Sequence, residues 1–222
     1  MQHFTKPMSI LNSKDILPTD FYIFVNMQNV VTKHNIDNTK SIFSGAFGQL
    51  SLGDDFSTKY LEGTVDYLPF VPNKDSDASM ISMFNNNITS EYRTEYNCEL
   101  HRKFNNPKYP SRLSACYAFG DYETCVEVSK KHNWNLSTVR KFTLLPSLYN
   151  RVVKVNMEIV SLERTANRIS MTSQQTQNSI WSSYWNGIGN IKLELPTVDG
   201  RKEFNSGVIW EYLIEGRLEL NE

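Results

Sequence analysis

The hydrophobic pattern is strongest near the C-terminus, where residues 208–216 form the longest apolar run in the last third of the chain. β-Branched and aromatic residues dominate this run and glycines bound it, which predicts a largely buried strand. The strand carries Glu211 at its centre, on the same face as the apolar residues two positions away. Such a carboxylate has to be paired, hydrogen-bonded or turned into a water-filled cleft. Glu211 is therefore either a catalytic carboxylate on a rigid strand or, with Glu215, a solvent-facing residue of an edge strand.

Four further stretches predict strands. Residues 20–26 are apolar on both faces, which indicates a central strand. Residues 110–119 place large side chains on one face and small ones on the other, so a helix or a ligand can approach closely. Residues 139–145 are another predicted strand. Residues 153–159 alternate apolar with polar positions, which predicts a half-buried strand.

Three stretches predict helices. In residues 88–104, five apolar residues recur at four-residue spacing and indicate one packed face: Ile88, Tyr92, Tyr96, Leu100 and Phe104. Asp121 is the predicted N-cap of a helix over 122–132. Residues 173–186 predict a third helix, which Gly187 ends.

The intervening stretches predict irregular structure. Residues 35–53 are turn-rich and suggest a loop that could lie over a ligand, although neither GxGxxG nor GxxxxGK[ST] is present. Residues 64–72 contain two prolines, so an extended segment along a pocket is expected rather than a central strand. Residues 189–206 are polar and suggest a plain connection.

Composition limits the classes of protein to consider. The 222 residues are 40% hydrophobic and 12% aromatic, enough for a sizeable core. Strands and helices interleave without a repeated βαβ period, which predicts one α+β domain over residues 1–222, with a strongly curved, split, mixed sheet flanked by helices. The net charge of −1 gives no global field toward nucleic acid or an anionic membrane.

The ionisable and sulfur-containing residues suggest a cytoplasmic chain without a metal centre. The three cysteines are odd in number and form no CxxC, so reduced thiols are expected: Cys98, Cys116 and Cys125. The four histidines are scattered, and no metal-binding spacing is present. No signal peptide and no apolar run of membrane-spanning length is visible, so no membrane partner is expected.

Four of these stretches together resemble the ADP-ribosyltransferase superfamily, especially small prokaryotic and phage domains within it. Two of them are an aromatic-Tyr strand start at residues 21–22 and a Pro-Ser-Arg-Leu segment before a helix at residues 110–113. The other two are a Tyr-Trp-Asn-Gly helix end at residues 184–187 and a late Glu-Tyr-Leu strand at residues 211–213. The segments 65–70 and 211–214 are also similar to the Asp-Tyr-Val-Pro-Phe and Glu-Phe-Leu-Val segments of DNA-targeting toxin members. These similarities cover about a third of the chain.

The resemblance implies cleavage of the nicotinamide–ribose bond of NAD without a metal ion. It assigns Glu211 as the catalytic carboxylate, because the ribose becomes oxocarbenium-like in the transition state. The implied NAD-binding residues are Tyr22, Ser111, Arg112, Ser114, Tyr117, Tyr184 and Trp185. All of them except Ser114 are expected to line one cleft with Glu211. The aromatic members would equally fit a core, and the Ser-Arg pair would equally anchor a strand start. Glu211 would equally serve as a structural partner of Arg112 or Arg217.

The implied function is transfer of ADP-ribose from NAD to a macromolecular acceptor, RNA, DNA or protein, by a toxin or phage-conflict effector that could have an antitoxin or inhibitor partner. Two departures from the superfamily pattern bear on this. The first predicted strand carries neither His nor Arg, and Ile209 stands where arginine-modifying members carry Glu. The alternatives are therefore a non-catalytic binding or inhibitor protein on the same fold, or an NAD glycohydrolase.

Overall fold

A computed structural model of the chain describes residues 9–44, 47, 59, 62–63, 83–169 and 173–221. The described residues fall into two compact units. The first is drawn from Met1–Val65, Lys108–Lys154 and Trp210–Glu222, and the second from Asp66–Pro107 and Val155–Ile209. The predicted pocket segment 64–72 lies outside the described residues.

Strands and helices alternate irregularly along the chain. In chain order the elements are β1 (Asp20–Phe24), α1 (Val30–Thr39), β2 (Ser41–Phe43), α2 (Met83–Asn105), β3 (Cys116–Ala118), α3 (Tyr122–His132), β4 (Val139–Leu144), β5 (Arg151–Asn156), α4 (Met157–Ile169), α5 (Gln174–Trp185), β6 (Lys192–Thr197), β7 (Gly200–Asn205), β8 (Trp210–Glu215) and β9 (Arg217–Leu220). This arrangement confirms the predicted α+β class.

The first unit is built on two sheets. One has four strands in the order β1-β4-β9-β2, and the other has the order β3-β8-β5. The pairings β1–β4, β4–β9, β2–β9 and β3–β8 are all antiparallel, so the predicted mixture of strand directions is absent from these pairs. The core of the first unit is apolar and includes Phe21, Phe142, Ile214 and Leu218, each fully buried.

β1 lies at the edge of its sheet, which corrects the prediction of a central strand. Only one row of its side chains is buried, including Phe21 and Ile23, while Tyr22 and Phe24 are half-buried. A single bridge between Tyr22 and Phe119 adds two backbone hydrogen bonds on its other side, each 2.8 Å long. An aromatic run can thus mark a strand whose second face is only partly covered.

The second unit packs three helices, α2, α4 and α5, and adds the β6–β7 hairpin. Its buried apolar side chains come largely from α4 and α5 and include Ile159, Ile180, Trp181, Tyr184 and Trp185. Each of these five is at most 1% exposed. Within this unit, α4 and α5 also contact each other.

The predicted helix over 88–104 is present within α2, but its buried face is not the predicted one. Tyr96 is buried, whereas Phe104 is 72% exposed. The buried positions instead include Cys98, Glu99 and Arg102, whose spacings of three and four residues follow one face of the helix. Four residues turn an α-helix by about 400°, so a strict four-residue row drifts by about 40° at each step and leaves the packed face.

The predicted strand over 153–159 ends early, because a helix begins at Met157. Asn156 produces this change: its Oδ1 accepts the Glu158 N–H at 3.1 Å, as an N-cap side chain does. The same Oδ1 accepts the Ile209 N–H at 3.0 Å, and its Nδ2 donates to the carbonyls of Gly189 and Gly207. Alternation over a few residues did not reveal this side-chain cap.

Two stretches predicted as loops contain regular structure. The 35–53 stretch includes the end of α1 and the whole of β2, separated by Lys40 in the left-handed conformation with φ +50°. The 189–206 stretch contains the β6–β7 hairpin, whose register pairs Thr197 with Gly200. The two residues between this pair are Val198 and Asp199, and Gly200 follows with φ +114°, so the Asp-Gly dipeptide at the end of the loop is a turn signal. This signal predicts the hairpin that polarity alone concealed.

The other two predicted helices begin and end where their capping residues place them. Asp121 accepts the Thr124 N–H at 2.6 Å and starts α3. Ser173 accepts the Thr176 N–H at 3.2 Å and starts α5, and Gly187 follows its end with φ +65°. The two predicted helices are therefore confirmed.

Candidate functional site

β8 carries two buried carboxylates on one face. Glu211 is 5% exposed and Glu215 is fully buried, and the fully buried Leu213 lies between them on that face. β8 occupies the middle of its sheet, between β3 and β5. The alternative of a solvent-facing edge strand is therefore wrong, and both carboxylates need partners inside the protein.

A tight turn, not a strand, precedes β3. The Ser111 carbonyl accepts hydrogen bonds from the N–H groups of Ser114, at 3.1 Å, and Ala115, at 2.9 Å. The Ser111 hydroxyl also accepts the Leu113 N–H at 3.1 Å. Serine side chains readily bind nearby backbone in this way and compete with strand pairing. The predicted strand over 110–119 is thereby shortened to Cys116–Ala118, and Arg112 sits on the turn.

Glu215 holds this turn in place. Its Oε1 accepts the Ser111 N–H at 3.0 Å and the Ser114 hydroxyl at 2.7 Å. Its Oε2 lies 3.6 Å from Nη1 of Arg151, at the start of β5. Both serines are buried, so the carboxylate satisfies groups that water does not reach. Glu215 thus fixes the backbone on either side of Arg112.

Glu211 forms an ion pair with Arg112. The distance from Arg112 Nη1 to Glu211 Oε1 is 3.5 Å, and the two side chains are 5% and 6% exposed. The Arg112 guanidinium carbon lies 5.1 Å from the centre of the Tyr117 ring. The Tyr117 hydroxyl donates to the Arg112 carbonyl at 2.9 Å, and Tyr117 itself is 37% exposed. A cation, a carboxylate and a partly exposed aromatic ring therefore meet at this point.

The structure brings together five of the predicted site residues, all in the first unit: Ser111, Arg112, Ser114, Tyr117 and Glu211. Tyr22 lies on β1, where its ring packs edge-on against Tyr122 at 6.1 Å. Tyr184 and Trp185 belong to the second unit and are fully buried there. The Trp185 indole donates to the Cys98 carbonyl at 3.1 Å. These two rings are packed as core residues, and a role in binding nicotinamide stays a prediction for them.

Sequence reasoning missed Glu215 as a turn-binding residue and Arg151 as its cationic neighbour. The available signal was the spacing of Glu211 and Glu215, because residues four apart on a strand share a face. Arg217, the other predicted partner of Glu211, instead contacts the Ser41 hydroxyl and lies over the Phe43 ring.

Two thiols are held in their protonated form. Burial, followed by the charge of Glu215, raises the pKa of Cys116 to about 12. Burial, followed by the charge of Asp121, raises the pKa of Cys125 to about 12 as well. Because the thiolate is the reactive form, neither side chain is suited to act as a nucleophile near neutral pH.

Within the described ranges, no group of three or more His, Cys, Asp and Glu side chains is placed to hold a metal ion. The helices of the same residues include none that is long and apolar enough to cross a membrane. Comparison of the chain with protein-family models and with curated proteins finds no match.

Proposed function

We propose that this chain is an NAD-dependent ADP-ribosyltransferase that modifies a macromolecular acceptor, with Glu211 as its catalytic carboxylate. The observation that carries the proposal is the buried pairing of Glu211 with Arg112 beside the partly exposed Tyr117 ring. A carboxylate on the central strand of a sheet is held more rigidly than one on a loop. The resemblance of the surrounding segments to the superfamily supplies the reaction.

The reaction would proceed by loss of nicotinamide from NAD. The bond between C1′ of the ribose and the pyridinium nitrogen breaks, and its electron pair leaves with neutral nicotinamide. Positive charge develops on the ribose, and Glu211 would stabilise it electrostatically. An acceptor oxygen or nitrogen then bonds to C1′ and releases one proton. No change of oxidation state is involved, so NAD serves as a substrate.

Arg112 would bind the diphosphate of NAD. A guanidinium carries five N–H donors arranged to fit phosphate oxygens. The Ser111–Ser114 turn, fixed by Glu215, would present this cation, and the Tyr117 ring beneath it would limit its movement. The net charge of −1 favours an acceptor that is bound locally over one drawn by a long-range field.

The direct test incubates the purified chain with NAD and with RNA, DNA or protein. Free nicotinamide together with an ADP-ribose adduct on one acceptor, both measured by mass spectrometry, is the expected result. Nicotinamide with free ADP-ribose alone would indicate an NAD glycohydrolase. Release of no nicotinamide under any condition would contradict the proposal.

Glu211→Gln is the matching variant, and we expect it to lower NAD turnover by roughly a hundredfold or more. It also leaves the buried Arg112 without its carboxylate, so a lower melting temperature is expected. Glu219→Gln, at an exposed position of β9, is the control. A Glu211→Gln protein that melts lower yet turns over NAD normally would end the catalytic assignment.

A non-catalytic binding or inhibitor protein is the second candidate. The observation that favours it is that Glu211 and Glu215 are both buried against partners within the protein, as structural carboxylates are. Expression in a bacterial host distinguishes a toxin-like transferase from a non-catalytic binding protein. A toxin-like effector in the cytoplasm should arrest growth unless an antitoxin is supplied, and Glu211→Gln should relieve the arrest.

A further inference from the structure

The second unit contains a concave site where the last turns of α2 meet the first turns of α5. The cavity has a volume of about 190 Å³. Pockets for drug-sized ligands measure about 300–1,000 Å³, so this one suits a single ring system. Its lining shares no residue with the Arg112–Glu211 pair, which belongs to the first unit.

The lining of this cavity is neutral and rich in amides. Asn97 and Asn105 contribute from α2, and Gln174 and Asn178 contribute from α5. Among the residues that the structure describes, the lining contains no Lys, Arg, Asp or Glu. Burial lowers the pKa of the fifth polar residue, His101, which favours its neutral form. A charged ligand such as a phosphate would find no counter-charge in this lining.

The amides leave hydrogen-bonding groups for a ligand. Gln174 Nε2 donates to Asn178 Oδ1 at 3.1 Å, which leaves Gln174 Oε1 as an acceptor and Asn178 Nδ2 as a donor. Among the described residues, the Asn97 side chain makes no hydrogen bond, and Nδ1 of His101 has no partner although it is buried. Paired amide donors and acceptors are the groups with which Asn and Gln recognise the edge of a base.

An aromatic ring stands at the rim of the same cavity. Phe104, in the last turn of α2, lines it and is 72% exposed. An exposed ring beside hydrogen-bonding amides offers a stacking surface for a planar ligand, and every nucleobase has such a face. Trp181 forms part of the wall and is itself buried, with its indole donating to Gln177 at 2.9 Å.

We propose that this cavity binds a single uncharged nucleobase, with Phe104 stacking on the ring and the Gln174–Asn178 amide pair reading its edge. The base could belong to a free nucleoside or to a single-stranded nucleic acid. This inference does not depend on the proposed transferase activity, because it uses neither Glu211 nor Arg112. If the nucleobase site is refuted, the proposed transferase activity is unaffected, and the reverse also holds.

The test titrates the purified full chain with adenosine, cytidine, guanosine and uridine, and with single-stranded RNA and DNA, by calorimetry and saturation-transfer NMR. We expect saturable binding of at least one base. Phe104→Ala should weaken it about tenfold, as loss of one stacking ring does. Gln174→Ala and Asn178→Ala should each weaken it about tenfold too, as loss of bidentate recognition does. Tighter binding of an oligonucleotide than of its nucleoside would identify nucleic acid as the source.

Gln175→Ala is the matched control, because Gln175 neighbours Gln174 on the exposed surface of α5 but does not line the cavity. It should leave binding unchanged. Glucose and maltose serve as neutral, non-planar competitors. The proposal is overturned if no base binds up to its solubility limit. It is also overturned if binding survives all three cavity variants, or if the sugars bind and the bases do not.

Discussion

Replacing Glu215 by Ala should destabilise the first unit strongly, whatever the activity of the protein. Its carboxylate accepts one hydrogen bond from the Ser111 N–H at 3.0 Å and one from the Ser114 hydroxyl at 2.7 Å. Hydrogen bonds to a charged group contribute about 1.5–3 kcal/mol each. Alanine removes both hydrogen bonds and also the contact between Glu215 and Arg151. The expected loss is about 3–5 kcal/mol.

Thermal unfolding followed by circular dichroism measures this loss. For a chain of this size, 1 kcal/mol lowers the melting temperature by about 2–4 °C, so Glu215→Ala should melt roughly 6–20 °C lower. Glu215→Gln should lie between wild type and Ala, because its amide oxygen can still accept both hydrogen bonds but carries no charge toward Arg151. Glu219→Ala, at an exposed position, should change stability by less than about 0.5 kcal/mol.

The reasoning is refuted if Glu215→Ala melts within about 1 °C of the Glu219→Ala control. That result would mean that the turn is held by its own serine hydrogen bonds and that Glu215 merely fills space. A second readout is the NMR chemical shift of the Ser111 amide. Its proton should move on Glu215→Ala and stay in place in the control.

Two further predictions follow from the pKa shifts. The pKa of both Cys116 and Cys125 is raised to about 12, so iodoacetamide at pH 7.5 should modify neither thiol until urea unfolds the chain. Peptide mass spectrometry measures the labelling, and rapid labelling of either thiol in the native state would contradict this prediction. Burial raises the pKa of Glu163 from 4.5 to about 7. Between pH 4.5 and pH 7 the folded form therefore binds more protons than the unfolded form. The free energy of unfolding should fall by about 3 kcal/mol as the pH rises through this window. Urea unfolding at pH 5 and pH 8 measures the fall, which Glu163→Gln should abolish and Glu127→Gln, at an exposed position of α3, should preserve.

The sequence predicted best what short-range interactions determine. The predicted N-cap Asp121 lies next to the helix it starts, so its hydrogen bond to Thr124 depends on only three residues of chain. The strands containing Phe142 and Leu213 were visible because β-branched and aromatic residues cluster in them. The α+β class followed from the irregular order of such elements.

Long-range pairing decided the features that sequence reasoning missed. Asn156 ends a strand and caps a helix while also binding Ile209, which is 53 residues away. The Ser111–Ser114 turn replaces a strand because Glu215, about 100 residues further along, accepts its hydrogen bonds. A local hydrophobic pattern carries no information about partners that lie so far away in the sequence. The same limit applies to the candidate site, where Glu211 and Arg112 could be proposed as a pair but their separation and burial could not.

The two carboxylates of β8 differ in a way that bears on function. Glu215 makes contacts of 2.7 and 3.0 Å to the two buried serines of the turn, and both contacts are lost if the carboxylate leaves. The Arg112–Glu211 contact measures 3.5 Å, longer than the roughly 2.7–2.9 Å of a strong charge-assisted hydrogen bond. Under the proposed function, a phosphate of NAD would compete with Glu211 for Arg112 across this longer contact. Glu211 would then be the carboxylate that faces the substrate, while Glu215 keeps the turn that carries Arg112 in position.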